Sequence, residues 1–467
     1  MLVPQVDMKK SSLLSQLRVN ILSGPLTSGL NILVMAISYP MYLHYLGYEK
    51  VGVWLLLSTV QTFAQLGLLG IGPALTKLVA EERGRGNNAR AQAYISLSTA
   101  ILAITGSIAL IALYLFRGQI VGSMGMSPAN SAIASAILPW VGLLTALNFL
   151  NQATTATLAG VGRIDIANYD ATLGKLFALG LEAILLFKKV GLIALLFGDF
   201  AGCLVIQVAG SIQLRRIAGL HLLKDLAWDR ERFNRLVHFG GSMFVVSLAV
   251  LLEAPFNKWA LSRYAGVALV PIYDIAFNGS MQLRGLLEVG LRALMPAISH
   301  RLANDTTEAR SEVRQLYRRT TLSLLAILPV GYVVAIFIAK PMLKLWLGSR
   351  FVPQIVGTFD IMSAAAIVSL IAVPAYFTLM ASGHVRDCMV SHLISASINV
   401  MVIVSAIALT GHLSIYLAAT SVLITIASSS LYLLWRASRV VNAKPHGDVA
   451  GPQTSFRTEN PGTKQAA

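Results

Sequence analysis

The sequence predicts an all-α integral membrane protein of about twelve transmembrane helices, set in two six-helix lobes with a pseudo-twofold axis along the membrane normal. Three observations predict it. Only 12% of the 467 residues are charged, about half the share that covers the surface of a soluble domain. Apolar residues make up 55% of the chain, and its mean hydropathy is +0.68. Mostly apolar runs of about 20 residues, the length that crosses a bilayer, recur from end to end. Hydrocarbon offers no water to satisfy backbone groups, so such runs are helices.

The first element follows a short polar N-terminus, residues 1–20. The run after it is too long for a signal-peptide core and lacks a small-residue cleavage site, so it is a span and not a leader. The spans fall near 20–43, 51–75, 93–116, 131–158, 169–187, 192–213, 239–262, 271–298, 320–339, 357–381, 389–410 and 414–435. Pro40, Pro73, Pro139, Pro255, Pro296, Pro329 and Pro374 lie within or near them and predict kinks or broken turns. Two cysteines, Cys203 and Cys388, sit in or beside apolar runs and imply no disulfide framework.

An even number of spans puts both termini on one side. Of the 37 Lys and Arg residues, 25 fall on that side, 8 on the other and 4 inside spans. The excess marks the terminal side as cytoplasmic. The net charge of +16 is thus a topology label and a source of lipid-headgroup contacts, not a nucleic-acid footprint.

The longest interior loop, 214–238, divides the chain into lobes at 1–213 and 239–441, followed by a polar tail at 442–467 rich in Gly and Pro and expected to be disordered. In the loop's second part Leu226, Phe233, Leu236 and Val237 can face away from Asp229, Arg230, Arg232 and Arg235, which predicts an amphipathic linker helix on the inner membrane surface. The halves echo each other. Tyr45-Leu46-Gly47 precedes Tyr264-Ala265-Gly266 by 219 residues, and at that offset Gln65 meets Arg284. Leu158-Ala159-Gly160-Val161-Gly162 precedes Leu379-Met380-Ala381-Ser382-Gly383 by 221. Repeats of even span number share one orientation, hence the axis along the normal, with a cavity between the lobes.

Charges inside hydrocarbon cost about 2.5–3.5 kcal/mol each on insertion scales and mark wet cavities or paired partners. The spans hold seven acids, Asp170, Glu182, Asp199, Glu253, Asp274, Glu288 and Asp360, against Lys175, Lys258, Arg284 and Arg292. Arg284, Glu288 and Arg292 are spaced i, i+4, i+8 on one helical face. That face reads as an anion-binding stripe, because the guanidinium fork suits phosphate oxygens, or as a salt-bridge ladder. Lys175 and Gln65 join it as substrate-binding candidates. Glu253, Asp274 and Asp199 are candidates for a coupling proton or cation. Lys258 is expected to snorkel outward, Asp170 and Asp360 to sit at interfaces, and Asp199, inside Gly198-Asp-Phe-Ala-Gly202, to meet Lys175 across a small-residue contact. Gln61, Asn148, Asn151 and Asn399 line the cavity or bond between helices.

No motif is spaced to hold a metal or a nucleotide cofactor. Gly174-Lys175 lacks the upstream glycine of a phosphate-binding loop, and Gly160-x-Gly162 has no strand before it. This argues against ATP hydrolysis by this chain and points to a gradient, the substrate's own flow or a partner as energy source.

The stretches Tyr45-Leu-Gly-Tyr-Glu-Lys-Val-Gly-Val-Trp54 and Leu69-Gly-Ile-Gly-Pro-Ala-Leu75, with Leu345-Trp-Leu-Gly348, Ala381-Ser-Gly-His384 and Asn399, resemble bacterial polysaccharide flippases, the O-antigen and exopolysaccharide transporters of the multidrug/oligosaccharidyl-lipid/polysaccharide superfamily. Many members carry an acid just before the Leu-Gly-Ile-Gly run; Leu68 stands there in this chain. The resemblance implies a transporter and not an enzyme. It would lie in the bacterial cytoplasmic membrane with both termini inside, and flip an isoprenoid diphosphate carrying an oligosaccharide by alternating access, beside polysaccharide polymerase and export proteins. A cation-coupled exporter of the multidrug and toxin extrusion type shares the two-lobed fold and suits the seven acids. A membrane glycosyltransferase would need a larger outer loop than the 17 residues at 340–356.

Overall fold

The computed structural model describes residues 10–224, 229–302 and 306–442. All but the first residue of the expected disordered tail lies outside them, as does Leu226 of the linker. The described residues build one lobe from α1 (Lys10–Ala64), α2 (Ile71–Gly84), α3 (Asn88–Leu115), the short α4 (Arg117–Ser123), α5 (Pro128–Gly160), α6 (Ile164–Phe187) and α7 (Ile193–Ala218). They build the other from α8 (Arg230–Leu251), α9 (Ala254–Ala265), α10 (Val270–Leu291), α11 (Leu294–Leu302), α12 (Thr307–Leu347), α13 (Gln354–Ala381), α14 (Val385–Thr410) and α15 (Ile415–Asn442). α1 is two helices joined at Gly47, so twelve passes result. Eight helical stretches among the described residues are long and apolar enough to cross a membrane on their own. Other passes are made of helix pairs, and α6 carries four charged residues.

Prolines decide where passes break. Proline lacks the N–H that bonds back to residue i−4, and its ring crowds that carbonyl. Pro73, Pro255 and Pro296 each follow a break by two to four residues, at Leu69–Gly70, Leu252–Glu253 and Arg292–Ala293. The spans expected at 51–75, 239–262 and 271–298 are therefore discontinuous. Pro40, Pro139, Pro329 and Pro374 stay inside continuous helices. The expected surface linker helix is also revised. α7 runs on to Ala218, and α8 starts at Arg230 and leads straight into the seventh pass. Leu236 is fully buried and Phe233 packs beside it, while Val237 is exposed. Span nine is longer than the expected 320–339, because α12 extends toward the terminal side from Thr307. Much of its apolar surface, such as Ile327, Val330 and Phe337, is exposed, as befits a lipid-facing helix.

The repeated sequence motifs take the same shapes. Gly47 (φ 73°, ψ 170°) and Gly266 (φ 108°, ψ 144°) both adopt extended positive-φ backbone that only glycine enters freely. After α5, Arg163 N–H reaches Leu158 O at 2.9 Å around Gly162 (φ 85°); after α13, His384 N–H reaches Leu379 O at 2.8 Å around Gly383 (φ 81°).

The core is distributed unevenly. On the face opposite the termini (the far face) one continuous apolar core joins both lobes, through Leu43, Val51, Leu113 and Val121 on one side and Leu261, Val267, Leu347 and Ile355 on the other. Polar contacts reinforce it. Arg350 donates to His44 O at 2.9 Å, Trp346 Nε1 to Ala36 O at 2.7 Å, and Ser262 Oγ to Met124 O at 2.7 Å. On the terminal face there are two cores, one around Leu75, Ile95 and Ala153, which Leu236 and Phe233 of α8 join, and one around Leu379, Cys388 and Leu433.

Within the first lobe α6 and α7 touch backbone to backbone. A Cβ on Gly202 would lie 2.7 Å from Gly174 O, so the small-residue motif is a close helix contact. Gly202→Val is expected to cost about 1–3 kcal/mol by overpacking. Gly180→Ala, with nothing within 4 Å of the added carbon, leaves stability unchanged or slightly raised. Thermal denaturation of the purified protein in detergent checks both.

Candidate functional site

Three polar clusters interrupt the apolar interior. The first joins the lobes. Asp274 on α10 is 1% exposed. It accepts a hydrogen bond from the Tyr39 hydroxyl of α1 and pairs with Lys258 of α9. Asn278, one turn on, donates to the Tyr39 oxygen at 3.2 Å. Lys258 therefore turns inward to a buried carboxylate instead of snorkelling, because Asp274 offers it a full counter-charge.

The second cluster lines a cavity of about 360 Å³ within the second lobe. Glu253 lies in the break between α8 and α9 that Pro255 forces, and accepts from Ser395 Oγ at 2.5 Å. The break frees the carbonyl of Leu252, and Asn399 Nδ2 of α14 takes it at 2.9 Å. Asn399 also exchanges amide hydrogen bonds with Asn257 at 2.8 and 3.2 Å. Both asparagines are fully buried, so the loosened backbone is held by neighbouring side chains, as an apolar medium demands. Across the cavity Arg284 pairs with Glu288 at 3.0 Å and donates through Nε to Ser369 Oγ at 2.8 Å. His392 and Tyr376 complete the wall.

The third cluster lies in the first lobe. Glu182 on α6 is 4% exposed and accepts from the Tyr42 hydroxyl. It rests on Gly198, where a Cβ would lie 2.2 Å from its Cγ. Asp199 on α7 is within charge range of Glu182 and Tyr42. Tyr39 and Tyr42 are i, i+3 on α1, so one helix face carries a phenol to each lobe's acid.

The structure thus brings some of the expected site residues together and parts others. Arg284, Glu288 and Glu253 share one cavity, whereas Arg292 leaves the stripe. It caps α10 at the break, exposed and without an ion pair among the described residues. Lys175 donates to Asn31 of α1 at 3.0 Å and not to Asp199. Gln65 is exposed at the start of the break in the second pass. Asp274 stands apart from Glu253, in the lobe bridge. Asp170 is buried and accepts from Gln213 at 3.2 Å instead of lying at an interface. Asn148 and Asn151 bond Cys203 between helices. Tyr39, Tyr42, Ser369 and Ser395 emerge only from the structure. The i, i+3 pair of phenols in the first span was the one signal available in the sequence.

The chain resembles known proteins in fold. The family model described as MatE matches residues 26–183. A multidrug resistance transporter of the MATE family, MOP superfamily, in its inward-facing conformation superposes with a TM-score of 0.72 at 13% identity, covering 89% of this chain and 94% of that one. An outward-facing conformation of such a transporter gives 0.63 at 12% identity over 91% and 95%. A MOP superfamily transporter from Pyrococcus furiosus, whose binding pocket is described as of reverse polarity, suggesting a different function, gives 0.59 at 16% over 91% and 96%. At these identities the likeness establishes the two-lobed, twelve-helix fold. No curated protein matches the chain in sequence.

The lobe bridge yields a stability prediction. Removing one member of a buried ion pair strands the other, at a cost of about 3–5 kcal/mol, whereas replacing both by apolar groups is far milder. Asp274→Leu and Lys258→Met are each expected to destabilise by about that much, and the paired variant to recover most of it, since Tyr39 keeps Asn278 as a partner. Thermal denaturation of the three variants in detergent measures the coupling.

Proposed function

We propose that this chain is a secondary transporter that moves cationic, amphipathic small molecules across the bacterial cytoplasmic membrane by alternating access, coupled to a proton or metal cation. One observation carries the reading. Of the four bases in the spans, Lys258 and Arg284 are taken by Asp274 and Glu288. Five of the seven acids remain, against Lys175 and Arg292, and Glu253 and Glu182 among them have hydroxyl partners and no basic one among the described residues. The balance of the interior is therefore acidic, which suits a cation and opposes a diphosphate. Glu253 and the Glu182–Asp199 pair are the coupling-ion candidates, and Tyr39, Tyr42 and Asp274 link them through α1 to the lobe contact.

The distribution of the core supports the access mechanism. The far face joins both lobes in one extended core, whereas on the terminal face the core of α13–α15 stands apart from the first lobe's, which among the described residues the second lobe joins through Leu236 and Phe233 of α8; a cleft open toward the termini fits this distribution. The higher likeness to an inward-facing structure agrees with it. With the basic residues concentrated at the terminal face, that face is cytoplasmic.

A second reading, flipping of a lipid-linked oligosaccharide, has one feature in its favour. Arg292 is exposed at the α10–α11 break without an ion pair among the described residues, where a phosphate-bearing headgroup can reach it.

Proteoliposomes separate the two. A proton or sodium gradient is expected to drive accumulation of a fluorescent hydrophobic cation, and Glu253→Gln to slow it by about tenfold or more, the cost of losing a charge-assisted interaction. Transport of a fluorescent lipid-linked oligosaccharide instead, lost in Arg292→Ala and kept in Glu253→Gln, would replace the first reading with the second.

A further inference from the structure

The first lobe holds a buried acid that neither the lobe bridge nor the coupling candidates use. Asp170 lies on α6, six residues in from Ile164 at its terminal-face end, and is 1% exposed. Its Oδ1 accepts from Gln213 Nε2 of α7 at 3.2 Å. Gln213 stands five residues before Ala218, where α7 ends at the same face. Two oxygens are left over. Asp170 Oδ2 and Gln213 Oε1 are both buried, and neither has a hydrogen-bond partner among the described residues. While the carboxyl is ionised both are acceptors only.

The surroundings give Oδ2 no donor. Gly210 of α7 lies against it, and a Cβ there would be 3.5 Å from Oδ2. The same Cβ would meet Thr154 Cγ2 of α5 at 2.5 Å and Leu158 Cδ1 at 3.7 Å. Thr154 thus shows its methyl to this place, and its hydroxyl is spent on Leu150 O and Gln207 Oε1 at 3.3 and 3.2 Å. Counter-charge is missing too. α5 contains no ionisable residue from Pro128 to Gly160. On α7 Asp199 is eleven residues before Gly210, and Arg215 and Arg216 are exposed. On α6 itself Asp165 is held by Arg163 and Lys175 by Asn31, each at 3.0 Å. α1 meets this stretch of α6 with Ser23 and Thr27, at Asn168 and Thr172. After α7 come His221 and Lys224, whose backbone N–H groups are tied to Gln92 and Ser96 of α3.

We propose that Asp170 holds a proton on Oδ2 and donates it to Gln213 Oε1, which makes the α6–α7 contact near the terminal face a proton-binding site. A carboxylic acid and a primary amide pair through two hydrogen bonds, amide N–H to acid oxygen and acid O–H to amide oxygen. The first of these is in place. A proton taken from solution supplies the second, between the two oxygens that lack a partner. The ionised form would instead bury a charge against one neutral donor, which an apolar interior does not compensate. Release of the proton removes the donor between those oxygens, so the anion must draw water or a cation in among α5, α6 and α7. Asp170 lies twelve residues before Glu182 on α6, and the site is independent of which substrate is carried.

Infrared difference spectroscopy of the full-length protein in detergent, titrated with acid and base in H2O and in D2O, reads the group directly. The wild-type protein is expected to show the C=O stretch of a protonated carboxylic acid, shifted on deuteration and lost in Asp170→Asn. An asparagine amide makes both bonds of the pair without a proton. The melting temperature of that variant is therefore expected at or above the wild-type value, by a margin that grows as the pH rises from acid to neutral, since only the wild-type protein must then keep an ionisable group neutral. Gln213→Leu keeps the acid and removes its partner, so the band is expected to move to higher frequency. Sodium is the other ligand two such oxygens take. If sodium chloride but not choline chloride raises the melting temperature of the wild type, the variant lacks that response, and no acid band is lost with Asp170, the site binds sodium and the proposal falls. It falls equally if Asp170→Asn keeps every acid band and lowers the melting temperature alike at all pH values, or if the spectrum of Gln213→Leu is unmoved.

Discussion

The Asp274 carboxylate is the point on which the arrangement of the lobes turns. It is nearly inaccessible to solvent and lies between a phenol of one lobe and an ammonium of the other. A buried carboxylate without partners is costly, so Tyr39, Lys258 and Asp274 stay together for as long as the far face is closed. Parting the lobes there would remove the Tyr39 donor, and the lost interaction must be replaced by water or by a bound species. The continuous far-face core and the Arg350, Trp346 and Ser262 contacts lie on the same side of the molecule. The bridge and the core therefore act as one latch, and the charges deeper in each lobe are connected to it through the two tyrosines of α1.

The broken helices form the second level of organisation. Three prolines loosen three passes, and each break does something different. The break at Leu252 and Glu253 gives an acid a non-helical backbone beside a cavity, stabilised by Asn399. The break at Arg292 releases one cation from a helical stripe. The break after Gln65 falls at a comparable place in the other half of the chain. Discontinuous helices at the middle of a membrane are where transporters bind their cargo, because only there can irregular backbone face a wet space instead of lipid.

Much of this was legible in the sequence. Apolar length gave the twelve passes, and the motifs at offsets of 219 and 221 became matching glycine conformations. Proline positions predicted breaks, but the residues alone did not say which would break. Pro374 stays inside α13, whereas Pro255 follows the end of α8, where Asn399 of α14 takes the carbonyl of Leu252. The spacing of Arg284, Glu288 and Arg292 puts all three on one face only if the helix is unbroken, and periodicity says neither where it breaks nor what that face meets. It meets α13 inside its own lobe and is then cut at Arg292. Lys258 was assigned to the surface because snorkelling is local, whereas its partner Asp274 is on another helix. Tyr39 and Tyr42 carried only their i, i+3 spacing as a signal, for a related reason: a phenol in an apolar run is indistinguishable from packing until its partner is placed.

The central claim is that the lobes alternate about a far-face latch built on Asp274 and Tyr39. The most direct test is a pair of distance measurements by electron–electron double resonance, with Cys203 and Cys388 replaced. One pair of spin labels sits on the far face at Tyr45 and Ser349, the other on the terminal face at Asn88 and Ser311. In the wild-type protein the far-face distance should be short and narrow and the terminal one long. Tyr39→Phe should shift population so that the first lengthens as the second shortens. Distances that do not move, or that move in the same sense, would contradict the account.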